Sequence, residues 1–173
     1  MAEEKIIDLL SLEIFPLISK QMLRGIFIDE DSEFKHLIDW IRTRSWHSQQ
    51  EKKSKTYLAI YQNKTIAYIT ISTGLFKGKI TDISNSTNFE FQVLLLGKLY
   101  VAPQYRNSGI GKKLLNLILD IARNLDEMVG CLGVIVDSND NQNTVNFYKK
   151  FGFIEIDTET NADVRVIKMF FKI

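Results

Sequence analysis

Apolar residues recur along this chain with two different periods, and the switches between them mark out its elements. Between Lys112 and Leu125, the residues Leu114, Leu115, Ile118, Ile121, Ala122 and Leu125 keep the i, i+3, i+4, i+7 spacing of a helix that buries one face. Phe34, Leu37, Ile38 and Ile41, with Trp40 at the flank, predict another helix, for which Asp31 or Ser32 is a candidate cap. Pro16 suits the first turn of a third, with Leu17, Ile18, Met22, Leu23 and Ile26 behind it at helical spacing and Gly25 weakening its end. A fourth is predicted from about Asn141 to Phe151, with capping residues in Asp137-Ser138-Asn139-Asp140 and a left-handed stop at Gly152.

Strand patterns fill the rest. Tyr57 to Tyr61 and Thr65 to Ser72 are rich in β-branched and aromatic residues and flank Gln62-Asn63-Lys64, which predicts an antiparallel hairpin. Phe91 to Val101 is almost continuously apolar, as in the middle of a sheet covered on both faces, and Pro103 stops it. Leu132 to Val136 is a compact buried strand; Phe153 to Ile156 and Val164 to Phe171 make a final antiparallel pair joined by a polar loop. Glu4 to Ile14 has no clean period and reads as a short strand. Arg42 to Lys55 is polar and reads as a loop, and Thr73 to Glu90 as a surface excursion with a small strand near Ile80. The sum is one mixed α/β (α+β) domain over residues 1–173, with about seven strands and four helices.

Composition narrows the functional classes. An apolar content of 45% is ample for a buried core, and 22 basic against 21 acidic residues leave a net charge of +1, so the molecule as a whole is not built to bind nucleic acid or an anionic membrane. A local basic patch stays open. The N-terminal Met-Ala-Glu-Glu-Lys lacks the basic start and apolar core of a signal peptide, and no apolar run approaches the roughly 18 residues of a spanning helix. A cytoplasmic protein without a membrane partner is expected. Cys131 is the single cysteine and reads as a buried thiol near a strand start, without the electropositive setting of a nucleophile. His36 and His47 have no carboxylate or thiol at ligand spacing, so no metal site is expected.

The segment with chemistry is Arg106-Asn107-Ser108-Gly109-Ile110-Gly111, between the long apolar strand and the amphipathic helix. Its glycines permit a tight turn and close approach of a ligand to the backbone. The first amides of the helix point outward with partial positive charge, which suits a phosphate or pyrophosphate. The turn does not match the GxxxxGKS/T pattern of a nucleoside-triphosphate loop, and it lacks the first glycine of the dinucleotide fingerprint GxGxxG, so a different phosphate carrier is implied.

Gln104 to Gly111 resembles the acetyl-CoA signature of the GNAT superfamily of N-acetyltransferases, a Gln or Arg followed by two residues, Gly, one residue, and Gly or Ala; Arg106, Gly109 and Gly111 fit it. Asn141 to Phe153 is similar to the same family's helix and strand, Asn-x-x-Ala-x-x-Phe-Tyr-x-x-x-Gly-Phe, with Thr144 in place of alanine. The resemblance implies the GNAT fold, acetyl-CoA as acyl donor and transfer of the acetyl group to a primary amine. It implies that the backbone of Leu99, Tyr100 and Val101 takes the pantetheine arm and that Arg106, Asn107, Ser108, Gly109, Ile110, Gly111 and Lys112 take the pyrophosphate. It further implies that Asn141 bonds the pantetheine and that Tyr148 is the general acid for the leaving thiolate. Read from pattern alone, Tyr148 can also be a packed aromatic at helical spacing from Val145 and Phe151, and Asn141 a helix-start residue.

Leu94 to Tyr100 holds no carboxylate where many relatives keep a general base, and Glu90 stands just ahead of it. A water chain or attack by an already neutral amine is the alternative, as is a catalytically silent acyl-CoA-binding module. The segments Leu37 to Ile41, Thr56 to Ala59, Ile66 to Gly74 and Leu95 to Val101 also resemble the acetyltransferase toxins of toxin-antitoxin pairs. That resemblance implies charged tRNA as acceptor and an antitoxin protein as partner; a homodimer is a further expectation that no residue pattern derives. Arg42 to Lys55 carries Arg42, Arg44, Lys52, Lys53 and Lys55 against Glu51 alone, a surface suited to phosphates or merely a solvated loop. A small-molecule amine or a protein amino group is the alternative acceptor.

Overall fold

In the computed structural model, residues 8–26, 34–78, 89–161 and 164–173 are described. Seven strands form one mixed sheet in the order β1-β2-β3-β4-β5-β7-β6, with β4 in the middle. The strands are β1 (Glu13–Pro16), β2 (Lys55–Tyr61), β3 (Lys64–Gly78), β4 (Phe89–Val101), β5 (Gly133–Asn139), β6 (Ile154–Asn161) and β7 (Val164–Lys172); the helices are α1 (Lys35–Thr43), α2 (Ser45–Gln50), α3 (Ile110–Val129) and α4 (Gln142–Lys150). The expected mixed fold is therefore present. The chain divides into two compact units, one made of residues 1–72 and 98–118, the other of 73–97 and 119–173.

In the first unit, β2 and β3 form the predicted hairpin, and Gln62 and Asn63 both take left-handed backbone angles of 49° and 61°. Two consecutive left-handed residues match the right-handed twist of the strands they join. Thr65 through Ile71 are all buried, so the stretch covered on both faces is the first half of β3 rather than β4, whose Gln92 and Gly97 are exposed. Two expectations are corrected here. Pro16 ends strand β1, paired with Tyr57, instead of opening a helix; β1 is a sheet edge, where a missing N–H costs nothing. Only a 3-10 turn, Lys20–Gly25, follows it. The polar stretch after Arg42 holds helix α2, because its polar side chains bond inward. Ser45 donates to the Ile41 carbonyl, Gln49 donates to the Leu17 carbonyl, and Gln49 Oε1 accepts from Thr56 N at 3.2 Å. The caps proposed at Asp31 and Ser32 and residues 4–7 of the strand proposed from Glu4 lie outside the described residues; of the rest of that strand, 8–12 form a turn and only Glu13 and Ile14 lie in β1. Helix α1 starts after Phe34 without a side-chain cap.

In the second unit, β4 pairs in parallel with β5 from Leu94↔Val134 to Leu96↔Val136, while β5 pairs antiparallel with β7 along its whole length. Val93, Ile135 and Phe170 form a core cluster with Phe76, Phe91, Leu95, Leu132 and Ile156 against it. β3 continues to Gly78, into residues 73–78 of the expected surface excursion, and the strand proposed near Ile80 lies outside the described residues. β6 likewise extends to Asn161 through what reads as polar loop, because it pairs with β7 from Ile154↔Phe170 to Asn161↔Val164. Among the described residues no helix is long and apolar enough to cross a membrane.

Candidate active site

The turn singled out in the sequence lies in the first unit. β4 ends at Val101, and Pro103–Tyr105 form one 3-10 turn; Asn107 then takes φ 59° and Gly109 φ 88° before α3 starts at Ile110. The first helical bond runs from Lys113 N to the Gly109 carbonyl at 3.0 Å, which leaves the amides of Ile110, Gly111 and Lys112 ahead of it. Ser108 Oγ donates to the Tyr105 carbonyl at 2.5 Å and closes the turn. Lys113 does not face this turn: its ammonium donates to the carbonyls of Leu9 and Leu12, at 2.8 and 3.1 Å. The turn thus sets three backbone amides ahead of the first helical bond, with Asn107 and Gly109 in the left-handed region.

Arg106 is exposed and already engaged. Its Nε donates to the Val101 carbonyl at 3.1 Å, and its guanidinium carbon lies 4.4 Å from the centre of the Phe34 ring. The terminal guanidinium nitrogens remain available to a phosphate. Leu99, Tyr100 and Val101 lie on β4 beyond the last residue of the β4–β5 ladder, Leu96.

Asn141 and Tyr148 belong to the second unit. Asn141 is the N-cap of α4, and its Oδ1 accepts from Asn143 N at 2.9 Å. The cap is thus Asn141 itself and not the Asp137–Asp140 stretch. Its side-chain NH2 is a donor that the cap does not use. Tyr148 is 4% exposed, with its ring against Phe147 and Phe153 at 5.2 and 5.4 Å. Packing and chemistry are therefore compatible: among the described residues nothing accepts a hydrogen bond from the hydroxyl, and burial raises its pKa well above the ordinary phenol value. Such a group stays protonated at neutral pH and has a proton to give. Gly152, at φ 91°, ends α4 in the left-handed conformation read from the sequence.

The remaining candidates are placed plainly. Glu90 lies at the start of β4 and is ion-paired with Lys77 at 2.5 Å, both side chains being more than half exposed. Cys131 is buried, its Sγ 3.5 Å from the Gly133 carbonyl. His36 is exposed, and His47 meets Glu51 at 3.0 Å. Among the described residues no group of three or more His, Cys, Asp or Glu is arranged to hold a metal.

A sequence model of the acetyltransferase (GNAT) family matches residues 19–153. The chain belongs to the GNAT acetyltransferase family. It is accordingly an N-acetyltransferase that draws its acyl group from acetyl-CoA. Solved structures similar to this GNAT chain include the toxin AtaT complexed with acetyl-methionyl-tRNAfMet, 18% identical, covering 93% of this chain and 94% of that one with a TM-score of 0.73. A tyrosine-to-phenylalanine mutant of KacT is 16% identical over 92% and 95%, with a TM-score of 0.72. An AtaT mutant bound to the C-terminus of the antitoxin AtaR and acetyl-CoA is 19% identical over 93% and 92%, with a TM-score of 0.69. At these identities the likeness is one of fold.

Proposed function

We propose that this acetyltransferase acts as a toxin-type enzyme on the α-amino group of aminoacyl-tRNA. The observation that carries the reading is the charge state of α1, α2 and the turn after them. Both acids there are spent, Asp39 on Lys35 at 2.6 Å and Glu51 on Lys53 and His47 at 2.7 and 3.0 Å. Arg42, Arg44, Lys52 and Lys55 are exposed and have no carboxylate partner among the described residues. Four unneutralised cations within fourteen positions, 42 to 55, suit a polyanion and offer nothing to a cationic amine. Lys77 and Lys149 add nothing, being paired with Glu90 and Glu155. The relation to AtaT, solved with an acetylated tRNA, supports the same acceptor.

In this reading residues 1–173 work as one catalytic domain. The backbone of Leu99, Tyr100 and Val101 receives the pantetheine arm, Arg106 through Lys112 the pyrophosphate, and the free NH2 of Asn141 a pantetheine carbonyl. The neutral amine attacks the thioester carbonyl, the C–S bond breaks, and the thiolate takes the proton of the Tyr148 hydroxyl. The acceptor's surplus proton leaves through water, since Leu94 to Tyr100 of β4 holds no carboxylate and Glu90, at the start of the strand, is held by Lys77. An α-amino group, with a pKa of about 7.7 to 8.0, is partly neutral at physiological pH and needs no strong base. A cytoplasmic setting, an antitoxin partner and a homodimeric assembly complete the proposal.

The test is thiol release from acetyl-CoA with charged tRNA over a salt series. KM for charged tRNA should rise steeply with salt, and reversing Arg42 and Arg44 to glutamate should raise it further while slow acetylation of a small amine persists. Turnover of a polyamine or peptide with none of charged tRNA would transfer the assignment to those acceptors. Absence of turnover with every amine, despite bound acetyl-CoA, would make the chain a silent acyl-CoA-binding module.

A further inference from the structure

Lys98 is a half-buried cation that the fold does not neutralise. No carboxylate pairs with it among the described residues, and burial holds its ammonium below the ordinary lysine range. Its Nζ lies 4.5 Å from the centre of the Trp40 ring. That ring is itself fixed: Trp40 stacks on Tyr68 at 6.3 Å with 17° between planes, Tyr68 packs on Tyr100 at 5.9 Å, and the Tyr68 hydroxyl donates to the Leu37 carbonyl at 2.8 Å. The ammonium thus rests on one side against a packed aromatic face.

The cation–π contact with Trp40 offsets part of the ammonium's desolvation cost, and an anionic ligand on its open side would offset the rest. On β4, Lys98 immediately precedes Leu99, the first residue proposed for the pantetheine arm, and strand alternation puts Lys98 and Tyr100 on one face. Trp40 links that face to α1, where Arg42 follows and Arg44 lies one turn on, its amide bonded to the Trp40 carbonyl at 2.8 Å.

We propose that Lys98 is a specificity-determining residue, whose ammonium, seated on Trp40, receives the phosphate nearest the acceptor amine and so selects amines carried beside a phosphodiester over cationic ones. The inference rests on the aminoacyl-tRNA reading and sharpens it to the 3′-terminal nucleotide. A fixed positive charge there also disfavours a protonated or polycationic acceptor by like-charge repulsion.

The test compares aminoacyl-adenosine 5′-monophosphates with the same aminoacyl-adenosines lacking the phosphate, using wild type, Lys98→Met and Lys98→Arg. Wild type should prefer the phosphate-bearing acceptor by about tenfold in kcat/KM, the scale of one charge-assisted contact. Lys98→Met should lose that preference through the phosphate-bearing substrate alone, Lys98→Arg should keep most of it, and KM for acetyl-CoA should stay within about twofold in both. A rise in acetyl-CoA KM in Lys98→Met would assign the phosphate to the donor and overturn the proposal. Wild-type turnover of charged tRNA with no preference between the nucleotides, or a preference that survives in Lys98→Met, would overturn it while leaving the acceptor reading intact. Turnover of polyamine or peptide but of neither nucleotide nor charged tRNA would remove the acceptor reading and Lys98's role together.

Discussion

Replacing Gly109 with valine isolates the backbone cradle from every side-chain contribution. Gly109 sits at φ 88°, and a Cβ there would stand 3.2 Å from Leu9 Cδ1. The steric part is small, because Leu9 is 36% exposed and can yield by a few tenths of an ångström. The backbone part is not: a β-branched residue in the left-handed region costs about 1–3 kcal/mol. The chain can relieve that strain by rotating the turn, which re-aims the amides of Ile110 and Gly111 that follow it. Losing one such bond to a charged pyrophosphate weakens binding by about 1.5–3 kcal/mol, roughly 10- to 150-fold in Kd. Gly130 provides the control, since its φ is 85° and nothing lies within 4 Å of a built Cβ. Both valine variants should lose comparable stability, at about 2–4 °C per kcal/mol for a chain of this size. Calorimetric titration with acetyl-CoA should then find reduced affinity for the Gly109 variant alone. A folded Gly109→Val protein that binds acetyl-CoA as tightly as wild type, or an equal loss in Gly130→Val, would refute the backbone cradle.

Four further outcomes follow from particular contacts. Tyr148→Phe keeps the ring between Phe147 and Phe153 and deletes a hydroxyl that bonds nothing described, so thermal stability and acetyl-CoA affinity should hold while kcat falls about 10²-fold or more; unchanged kcat on the true acceptor would leave Tyr148 a core residue only. Asn141→Asp keeps an equally good helix cap but removes the NH2 donor, so stability should persist as KM for acetyl-CoA rises; a variant with normal KM would reduce Asn141 to its cap. Gly133→Ala would put a Cβ 2.1 Å from the Phe171 carbonyl oxygen and 2.6 Å from the Phe170 ring, and should cost more than about 3 kcal/mol in a denaturant titration, since that backbone is locked into the β5–β7 ladder. Burial raises the phenol pKa of Tyr68, with Tyr100 contributing, and of Tyr148, so both stay protonated in the fold when the unfolded chain ionises near pH 10. Their stabilisation is complete below pH 10 and is lost as pH climbs toward the folded values, by about 1.4 kcal/mol per pH unit for each group; denaturation at pH 9 to 11 should show a shallower decline in Tyr148→Phe.

The amino-acid sequence by itself determined those features whose causes lie within a few residues. The β2–β3 hairpin needs only two short strand patterns and a Gln62-Asn63 turn; α3 needs only its 3.6-residue apolar stripe. The turn before α3 was legible because glycine at 109 is a local demand of φ, and the family because its chemistry uses particular residue types at fixed spacing. Gly152 was legible for the same reason. What failed to show in the sequence depends on partners far along the chain. Helix α2 has Trp46 as its one apolar residue and so no apolar stripe, yet Gln49 reaches the Leu17 carbonyl 32 residues away, a bond that no periodicity announces. Pro16 looks like a helix start until Tyr57 pairs with it and makes it a sheet edge. Asn141 could be read as cap or as ligand contact; the tertiary structure uses its oxygen for the cap and leaves its nitrogen. Lys98 lies in an apolar run and drew no notice as chemistry. Only the fold sets it on Trp40, 58 positions earlier, because a buried aromatic stack decides where an unpaired charge can rest.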